Sequence, residues 1–163
     1  MAMLEIKKFN NPILRHKCKE VEEIDEDIKK LVDNMEETME KNHGIGLAAP
    51  QVGVQKRIIV MMPDLNEFNI FYLINPKITK KSPKKEIKEE GCLSFPGLFL
   101  RIKRAKEIEV EGQDLNDKKI KIRVQGLPAR ILQHEIDHLD GVLFIDRLSF
   151  FQGWKLKKKL KNL

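Results

Sequence analysis

Residues 128–139 of the chain read PARILQHEIDHL, and the other predicted elements are arranged around this segment. It contains the pattern H-E-x-x-H, in which His134 and His138 stand four positions apart. Side chains at positions i and i+4 share one face of a helix, so both imidazoles can reach a single metal ion. Glu135, next to the first histidine, can then interact with a water bound to the metal and does not have to bind the metal itself. The segment therefore predicts a helix that carries a metal site.

A surface helix whose charges match this pattern by chance is the alternative. The flanking residues are apolar and predict that much of the helix is buried: Ile131, Leu132, Ile136 and Leu139. Buried histidine and glutamate side chains need polar partners, and a metal ion with its water supplies them. The apolar flanks therefore favour the metal site.

A catalytic site of this kind needs a third protein ligand and an open position for water. Directly after the motif, residues 139–143 offer only Asp140. Cys92 is the better candidate because it lies in the segment EGCLS at residues 90–94, where the glycine lets the backbone approach another element closely. A thiolate also donates more charge than a carboxylate, and metal binding would hold it deprotonated.

Residues 44–51, GIGLAAPQ, form a third motif. A dinucleotide-binding loop is disfavoured because a predicted helix, rather than a strand, precedes the glycines. A plain glycine loop at the end of that helix is a second interpretation. The third is an extended strip that allows close backbone approach, with Gln51 pointing into a site where its amide can donate to a developing oxyanion.

The remaining patterns predict an α+β fold, with mainly antiparallel sheets packed around the H-E-x-x-H helix. Apolar residues recur at helical spacing over 24–41, and a C-terminal helix is expected over about 151–161. Short β-rich runs separated by turn residues predict strands at 57–61, 71–74, 107–110 and 119–124. Because no repeat or composition break divides the chain, we expect a single domain over 1–163, with 150–163 as a basic helix.

The composition restricts the classes of protein to consider. Hydrophobic residues at 41% and charged residues at 34% suit a globular protein rather than a disordered one. The start of the chain lacks the apolar core of a signal peptide, and no apolar run approaches the ~20 residues that a membrane helix needs. A cytoplasmic location and no membrane partner are therefore expected. The two cysteines do not make a disulfide framework, and Cys18 is interpreted as a small buried hydrophobe.

Much of the formal charge of +6 is concentrated at the C-terminal end, where five of the last nine residues are lysines: Lys155, Lys157, Lys158, Lys159 and Lys161. Such a tail is commonly a solvated helix face, but it can dock on nucleic acid. Three basic residues nearer the middle of the chain are expected to be exposed and receive no role: Arg101, Lys103 and Arg104.

Together, the three motifs resemble the peptide deformylase pattern of G-x-G-x-A-A-x-Q, E-G-C-x-S and H-E-x-x-H. The matching residues are Gly44, Gly46, Ala48, Ala49, Gln51, Glu90, Gly91, Cys92, Ser94, His134, Glu135 and His138. Their order and spacing also match, and the similarity extends from residues 11–15 to Asp146. The basic C-terminal helix resembles the bacterial form of the family.

This resemblance implies a metal-dependent hydrolase that removes the formyl group from the N-terminal formylmethionine of nascent proteins. It implies that Cys92, His134 and His138 hold one divalent ion, ferrous iron in the cell, which nickel, cobalt or zinc can replace. Glu135 would act as general base and proton shuttle. The side-chain amide of Gln51 and the backbone N–H of Leu93 would stabilise the oxyanion. The resemblance also suggests that the basic helix docks on the ribosome; no DNA partner is expected.

Helix geometry adds a hypothesis about the substrate. Leu127 and Ile131 lie seven and three residues before His134, hence on nearly the same helix face. With Ile45 they would line an apolar pocket for the methionine side chain, although both fit a plain core role equally well. The strip from Gly44 to Gly46 could pair with the substrate backbone as an added strand.

Two other functions remain open at this point. Another H-E-x-x-H metal amidase or peptidase would share the metal chemistry, but Cys92 and the strip at 44–51 argue against it. A non-enzymatic basic protein with a structural metal would normally need four protein ligands. Only three good ones are present, and Glu135 would have no purpose.

Overall fold

The computed structural model describes residues 3–62 and 71–160, which form three α-helices and seven β-strands. The helices are α1 (Glu26–Lys41), α2 (Leu127–Leu139) and α3 (Phe150–Leu160). The strands are β1 (Gly46–Ala48), β2 (Ile58–Met61), β3 (Phe71–Lys81), β4 (Lys85–Cys92), β5 (Phe95–Ala105), β6 (Glu107–Gln113) and β7 (Lys119–Gln125). The predicted α+β class with mainly antiparallel sheet is confirmed.

Five strands form an antiparallel sheet in the order β1-β2-β3-β6-β7, and β4 pairs with β5 in a separate hairpin. Alternate residues of a strand point to opposite faces, so β2 contributes to two cores. Ile58 and Val60 pack with the apolar face of α1, whereas Ile59 and Met61 pack with α2. All four residues of β2 are buried because helices cover both faces of the sheet.

Helix α1 begins after Asp25, whose carboxylate accepts a hydrogen bond from the Ile28 N–H at 2.9 Å. This cap satisfies one of the free donors of the first helical turn. The helix ends at Lys41, close to the predicted exit. The left-handed residue that follows the helix is His43, with φ of +55°.

Helix α2 carries the H-E-x-x-H motif through the middle of the molecule, and every residue from Ala129 to Leu139 is buried. The side-chain amide of Gln133 binds the main chain of Ala105 as a neighbouring strand would. Its Oε1 accepts from the Ala105 N–H at 3.1 Å, and its Nε2 donates to the Ala105 carbonyl at 3.0 Å. These bonds attach α2 to the end of β5. The expected buried helix around the motif is thus confirmed.

The β4–β5 hairpin was not among the predicted strands, and β3 runs seven residues past the predicted end at Ile74, to Lys81. Five of the eight residues of β4 are charged, so the strand lacks the apolar alternation by which strands are detected. A third apolar cluster joins the hairpin to α3 through Phe95, Ile102, Phe144, Leu156 and Leu160. The turn expected at Pro63-Asp64, and Lys161 in the basic tail, lie outside the described residues. No helix in residues 3–62 and 71–160 is long and apolar enough to cross a membrane.

Candidate metal centre and substrate cleft

Cys92, His134 and His138 come together where the end of β4 meets α2. One ligand atom from each residue lies within 4.8 Å of the others. The Cys92 Sγ is 3.3 Å from the His138 Nε2. The two histidines lie one helical turn apart, with their ring centroids separated by 5.0 Å. The structure therefore brings together the three residues that the sequence predicted as metal ligands.

An irregularity in the hairpin aims the Cys92 side chain. The register of the β4–β5 ladder shifts between Gly91 and Cys92. Such a shift bends the strand and redirects the side chains next to it. Gly91 lies against Phe99, and a Cβ atom there would lie 2.8 Å from the ring, which would have to move aside.

The Glu90 carboxylate organises the opposite side of the centre. It is buried, and its Oε2 lies 3.0 Å from the Nδ1 of His134. Arg104 donates to it through two nitrogens at 2.9 and 3.0 Å, and Arg130 donates at 2.6 Å. With Nδ1 engaged, Nε2 is the nitrogen of His134 that remains to bind a metal ion.

Arg104 corrects an expectation drawn from the sequence. It was expected to be exposed without a role, but it is only 4% exposed and bridges Glu90 and Asp137. Its neighbours Arg101 and Lys103 are exposed, as expected. The alternation of β5 turns Arg104 inward beside Ile102, where buried carboxylates compensate its charge.

Burial and neighbouring charges set the protonation of the acidic groups. Burial alone would raise the pKa of Glu90, but hydrogen bonds from His134 and Arg104 outweigh it and hold that pKa at about 2. Burial raises the pKa of Glu135 to about 7, against the lowering effect of His134. Burial also lowers the pKa of His138 well below its ordinary value, which favours the neutral imidazole that binds metals.

The donor set fits a divalent transition-metal ion. One thiolate and two imidazoles suit iron, nickel, cobalt or zinc, and only three protein ligands leave a position for water. The Oε2 atom of Glu135 is buried and has no hydrogen-bond partner among the described residues. Such an atom requires a partner, and a water at the metal would supply one.

Gln51 lies beside the thiol of Cys92 and is 1% exposed. Its Oε1 accepts from the Ala48 N–H at 2.8 Å, which fixes the orientation of the amide. Its Nε2 donates to the Ser94 hydroxyl at 3.2 Å and lies 3.5 Å from the Cys92 Sγ. The amide hydrogens therefore face the candidate centre, as the sequence predicted.

The glycine motif forms strand β1 and a 3₁₀ turn over Ala49–Val52, which excludes the dinucleotide-binding interpretation. Gly46 faces α2 at very short range. A Cβ atom at this position would overlap the Glu135 carboxylate and lie 2.9 Å from the Cγ2 of Ile131. The close backbone approach expected of this strip is present.

A cleft of about 550 Å³ opens above the centre. All the predicted substrate-binding residues line it: Gly44, Ile45, Gly46, Leu127 and Ile131. Leu93, Gln51, His134 and Glu135 lie in its wall as well. Ile45 and Leu127 are 38% and 39% exposed, so Leu127 is not a plain core residue, whereas Ile131 is buried.

Sequence reasoning missed the buried charges that support the centre. Asp137 binds both Arg104 and Arg147, and Glu90 binds Arg130 and His134. The signal was present in the spacing. Glu90 precedes Cys92 by two positions on one strand face, and Arg130 precedes His134 by four positions on one helix face.

Comparison with known proteins finds relatives that all belong to one family. A family model described as polypeptide deformylase matches residues 3–153. A peptide deformylase of Thermodesulfovibrio yellowstonii is 51% identical over 164 residues, covering 99% of each protein. The crystal structure of a peptide deformylase from Thermotoga maritima matches with a TM-score of 0.88 and 44% identity, covering 91% of this chain and 99% of that chain. A peptide deformylase of Ehrlichia chaffeensis in complex with actinonin matches with a TM-score of 0.91 and 43% identity, covering 99% and 98%.

Proposed function

The chain belongs to the polypeptide deformylase family, and from this premise we propose that Cys92, His134 and His138 hold its metal ion while Glu135 transfers the protons. The chain is a metal-dependent hydrolase that removes the formyl group from the N-terminal methionine of nascent proteins. The convergence of the three ligand atoms within 4.8 Å, at the base of a cleft, carries the assignment of residues.

We propose ferrous iron as the ion in the cell, with nickel, cobalt or zinc as replacements. The thiolate and two imidazoles accept all four ions, and the family resemblance of the motifs favours iron. A divalent ion in this position supplies a Lewis acid and lowers the pKa of a bound water towards ~7. The Glu90 carboxylate keeps His134 in the tautomer and orientation that such a ligand needs.

Glu135 is the group that moves the proton. Its Oε2 is buried, has no hydrogen-bond partner among the described residues and belongs to a side chain in the wall of the cleft, where a reacting water and the substrate would bind. It takes one proton as the water oxygen bonds to the formyl carbon, and gives it to the nitrogen as the C–N bond breaks. The products are formate and the free amine of methionine.

Gln51 and the backbone N–H of Leu93 stabilise the negative charge that develops on the formyl oxygen. The Ala48 N–H holds the Gln51 amide in place before substrate arrives. A fixed donor of this kind is worth about 3–4 kcal/mol in the transition state.

The methionine side chain occupies the apolar part of the cleft, between Ile45, Leu127 and Ile131. The peptide backbone pairs with Gly44–Gly46. Strand β1 stands at the edge of its sheet, so one side of its backbone can accept an added strand. Main-chain pairing reads a peptide without demanding a particular sequence, which suits an enzyme that processes many nascent chains.

We further propose that residues 1–163 act as one cytoplasmic domain and that α3 docks on ribosomal RNA. Lys155 and Lys158 are exposed on this helix beside the exposed Trp154. Basic and aromatic side chains together suit contacts to phosphate and to bases. The test is co-sedimentation with ribosomes at several salt concentrations. Lys155→Glu with Lys158→Glu is expected to weaken binding, and unchanged binding would contradict the proposal.

The choice of substrate separates a deformylase from another metal amidase. Metal-loaded protein is offered the same methionyl tripeptide with a formyl cap, an acetyl cap or a free amine, and the products are followed by mass spectrometry. We expect formate from the formyl peptide and intact internal bonds in all three. Cleavage of the unblocked peptide would support the amidase or peptidase alternative instead.

A further inference from the structure

The turn that follows Cys92 consists of two residues, Leu93 and Ser94, since Cys92 pairs directly with Phe95. Hairpin turns of this length normally have left-handed residues, because those turn types match the twist of the strands. The described non-glycine residues with positive φ are instead His43, Asn75 and Asp117. The turn therefore lacks the conformation that is usual for its length.

The turn is bound by residues 7–9, here called the strap. The Phe9 N–H donates to the Ser94 carbonyl at 2.9 Å. The Lys8 ammonium donates to the Leu93 carbonyl at 3.3 Å. Both carbonyls of the turn are thus held by one short stretch of the N-terminal segment.

The strap also reaches the second donor of the oxyanion site. The Lys7 N–H donates to the Gln51 carbonyl at 2.7 Å. The Gln51 side chain in turn donates to the Ser94 hydroxyl at 3.2 Å. The strap therefore spans the two places, Gln51 and the Leu93–Ser94 turn, from which the proposed oxyanion donors come.

Peptide rotation is the motion that such a turn has to resist. The central peptide of a β-turn rotates when one turn type changes into another. Here it joins the Leu93 carbonyl to the Ser94 N–H. It meets the peptide that carries the Leu93 N–H at the Cα of Leu93, so holding the Leu93 carbonyl also fixes the orientation of Leu93. The ammonium of Lys8 holds that carbonyl with a charge-assisted hydrogen bond. Lys8 is exposed at the rim of the cleft, so its removal leaves the apolar core intact.

We propose that the strap is a positioning device for the oxyanion site and that Lys8 is a positioning residue for the deformylation reaction. The proposal rests on the function and oxyanion donors proposed above. Donors stabilise a transition state when they are already in place, and they add little when the site has to rearrange. Loosening the strap therefore lowers kcat, while the binding of substrate is preserved.

The main test replaces the ammonium and keeps the stem of the side chain. Lys8→Met, Lys8→Arg and a matched control, Lys17→Met at an exposed lysine outside the cleft, are compared with the parent. Values of kcat and KM for a formyl-Met tripeptide, the melting temperature and the metal content are measured. Lys8→Met is expected to lower kcat about tenfold, less than the loss of a whole donor, with the other three values unchanged. Lys8→Arg restores most of kcat, and Lys17→Met matches the parent.

The results that would contradict the role of Lys8 differ from those that would contradict the proposed function. A higher KM with unchanged kcat would place Lys8 in contact with substrate and overturn the positioning role, and so would unchanged values of both. Absence of formate release by the parent would instead count against the proposed function.

A second pair of variants tests the main-chain hydrogen bond from Lys7 to Gln51. Lys7→Pro removes the N–H that binds Gln51, whereas Lys7→Ala keeps it. The proline variant is expected to lose about 100-fold in kcat, and the alanine variant far less. Equal losses of kcat in the two variants would contradict the positioning role of the strap. If the proline variant does not fold, Lys8→Met alone decides the question.

Discussion

Gly46 shows at the scale of one residue why a small side chain is required beneath the cleft. Strand β1 passes so close to α2 that a Cβ atom would overlap the Glu135 carboxylate. The sequence indicated close backbone approach, since two glycines and two alanines stand within residues 44–51. It could not indicate that the approaching group would be Glu135, because that contact joins residues 89 positions apart.

Gly46→Ala is predicted to displace Glu135 and to lower kcat/KM for a formyl-Met peptide about 100-fold. Gly153→Ala is the matched control, because its Cβ atom would meet nothing within 4 Å. The measurement is formate release by both variants at equal metal content. Full activity of Gly46→Ala would contradict the packing described here.

The two cysteines are predicted to differ in reactivity. Burial raises the pKa of the Cys18 thiol to about 11, so this thiol reacts slowly in the folded protein. Cys92 is only partly buried, and metal binding would protect it. Titration with a thiol reagent is expected to find no fast thiol in the metal-loaded protein and one after chelation. Cys92→Ser removes this fast thiol, and two equally fast thiols in the chelated parent would contradict the account.

At the scale of elements, the Glu90 carboxylate ties the β4–β5 hairpin to α2. It binds Arg104 of β5 and both Arg130 and His134 of α2. Helix α2 was predictable because apolar residues flank the motif at helical spacing. The β4–β5 hairpin was not predictable, because most residues of β4 are charged. Its position is fixed by hydrogen-bonded pairing with β5 and not by an apolar face of its own.

Glu90→Gln is predicted to destabilise the fold by about 3–5 kcal/mol, since it leaves buried arginines without their anion. The measurement is urea unfolding of the metal-free protein, which separates this loss from any effect on metal binding. Glu89→Gln, at the exposed neighbour on the same strand, is the control and is expected to change stability by less than about 0.5 kcal/mol. A loss of similar size in both variants would show that the buried network is not the cause.

At the scale of the whole molecule, three distant segments meet at one cleft: strand β1, the end of β4 and helix α2. Spacing within α2 predicted the two histidines. It left Cys92 and Asp140 as candidates for the third ligand; the glycine beside Cys92 and the charge that a thiolate donates favoured Cys92, and the motif pattern of the family agreed. The structure places Cys92 beside both histidines, while Asp140 binds Arg57 at 2.7 Å. The buried charges were missed because the spacing of Glu90 from Cys92 and of Arg130 from His134 shows which face they share, but not that this face is buried.

The central claim is that Glu135 transfers protons at a metal held by Cys92, His134 and His138. Its most direct test is formate release from a formyl-Met tripeptide by anaerobically prepared, iron-loaded protein, with Glu135→Ala measured beside it at equal iron content. The account predicts rapid release by the parent and about 1,000-fold less by the variant. Comparable release by both proteins, or none by the iron-loaded parent, would contradict it.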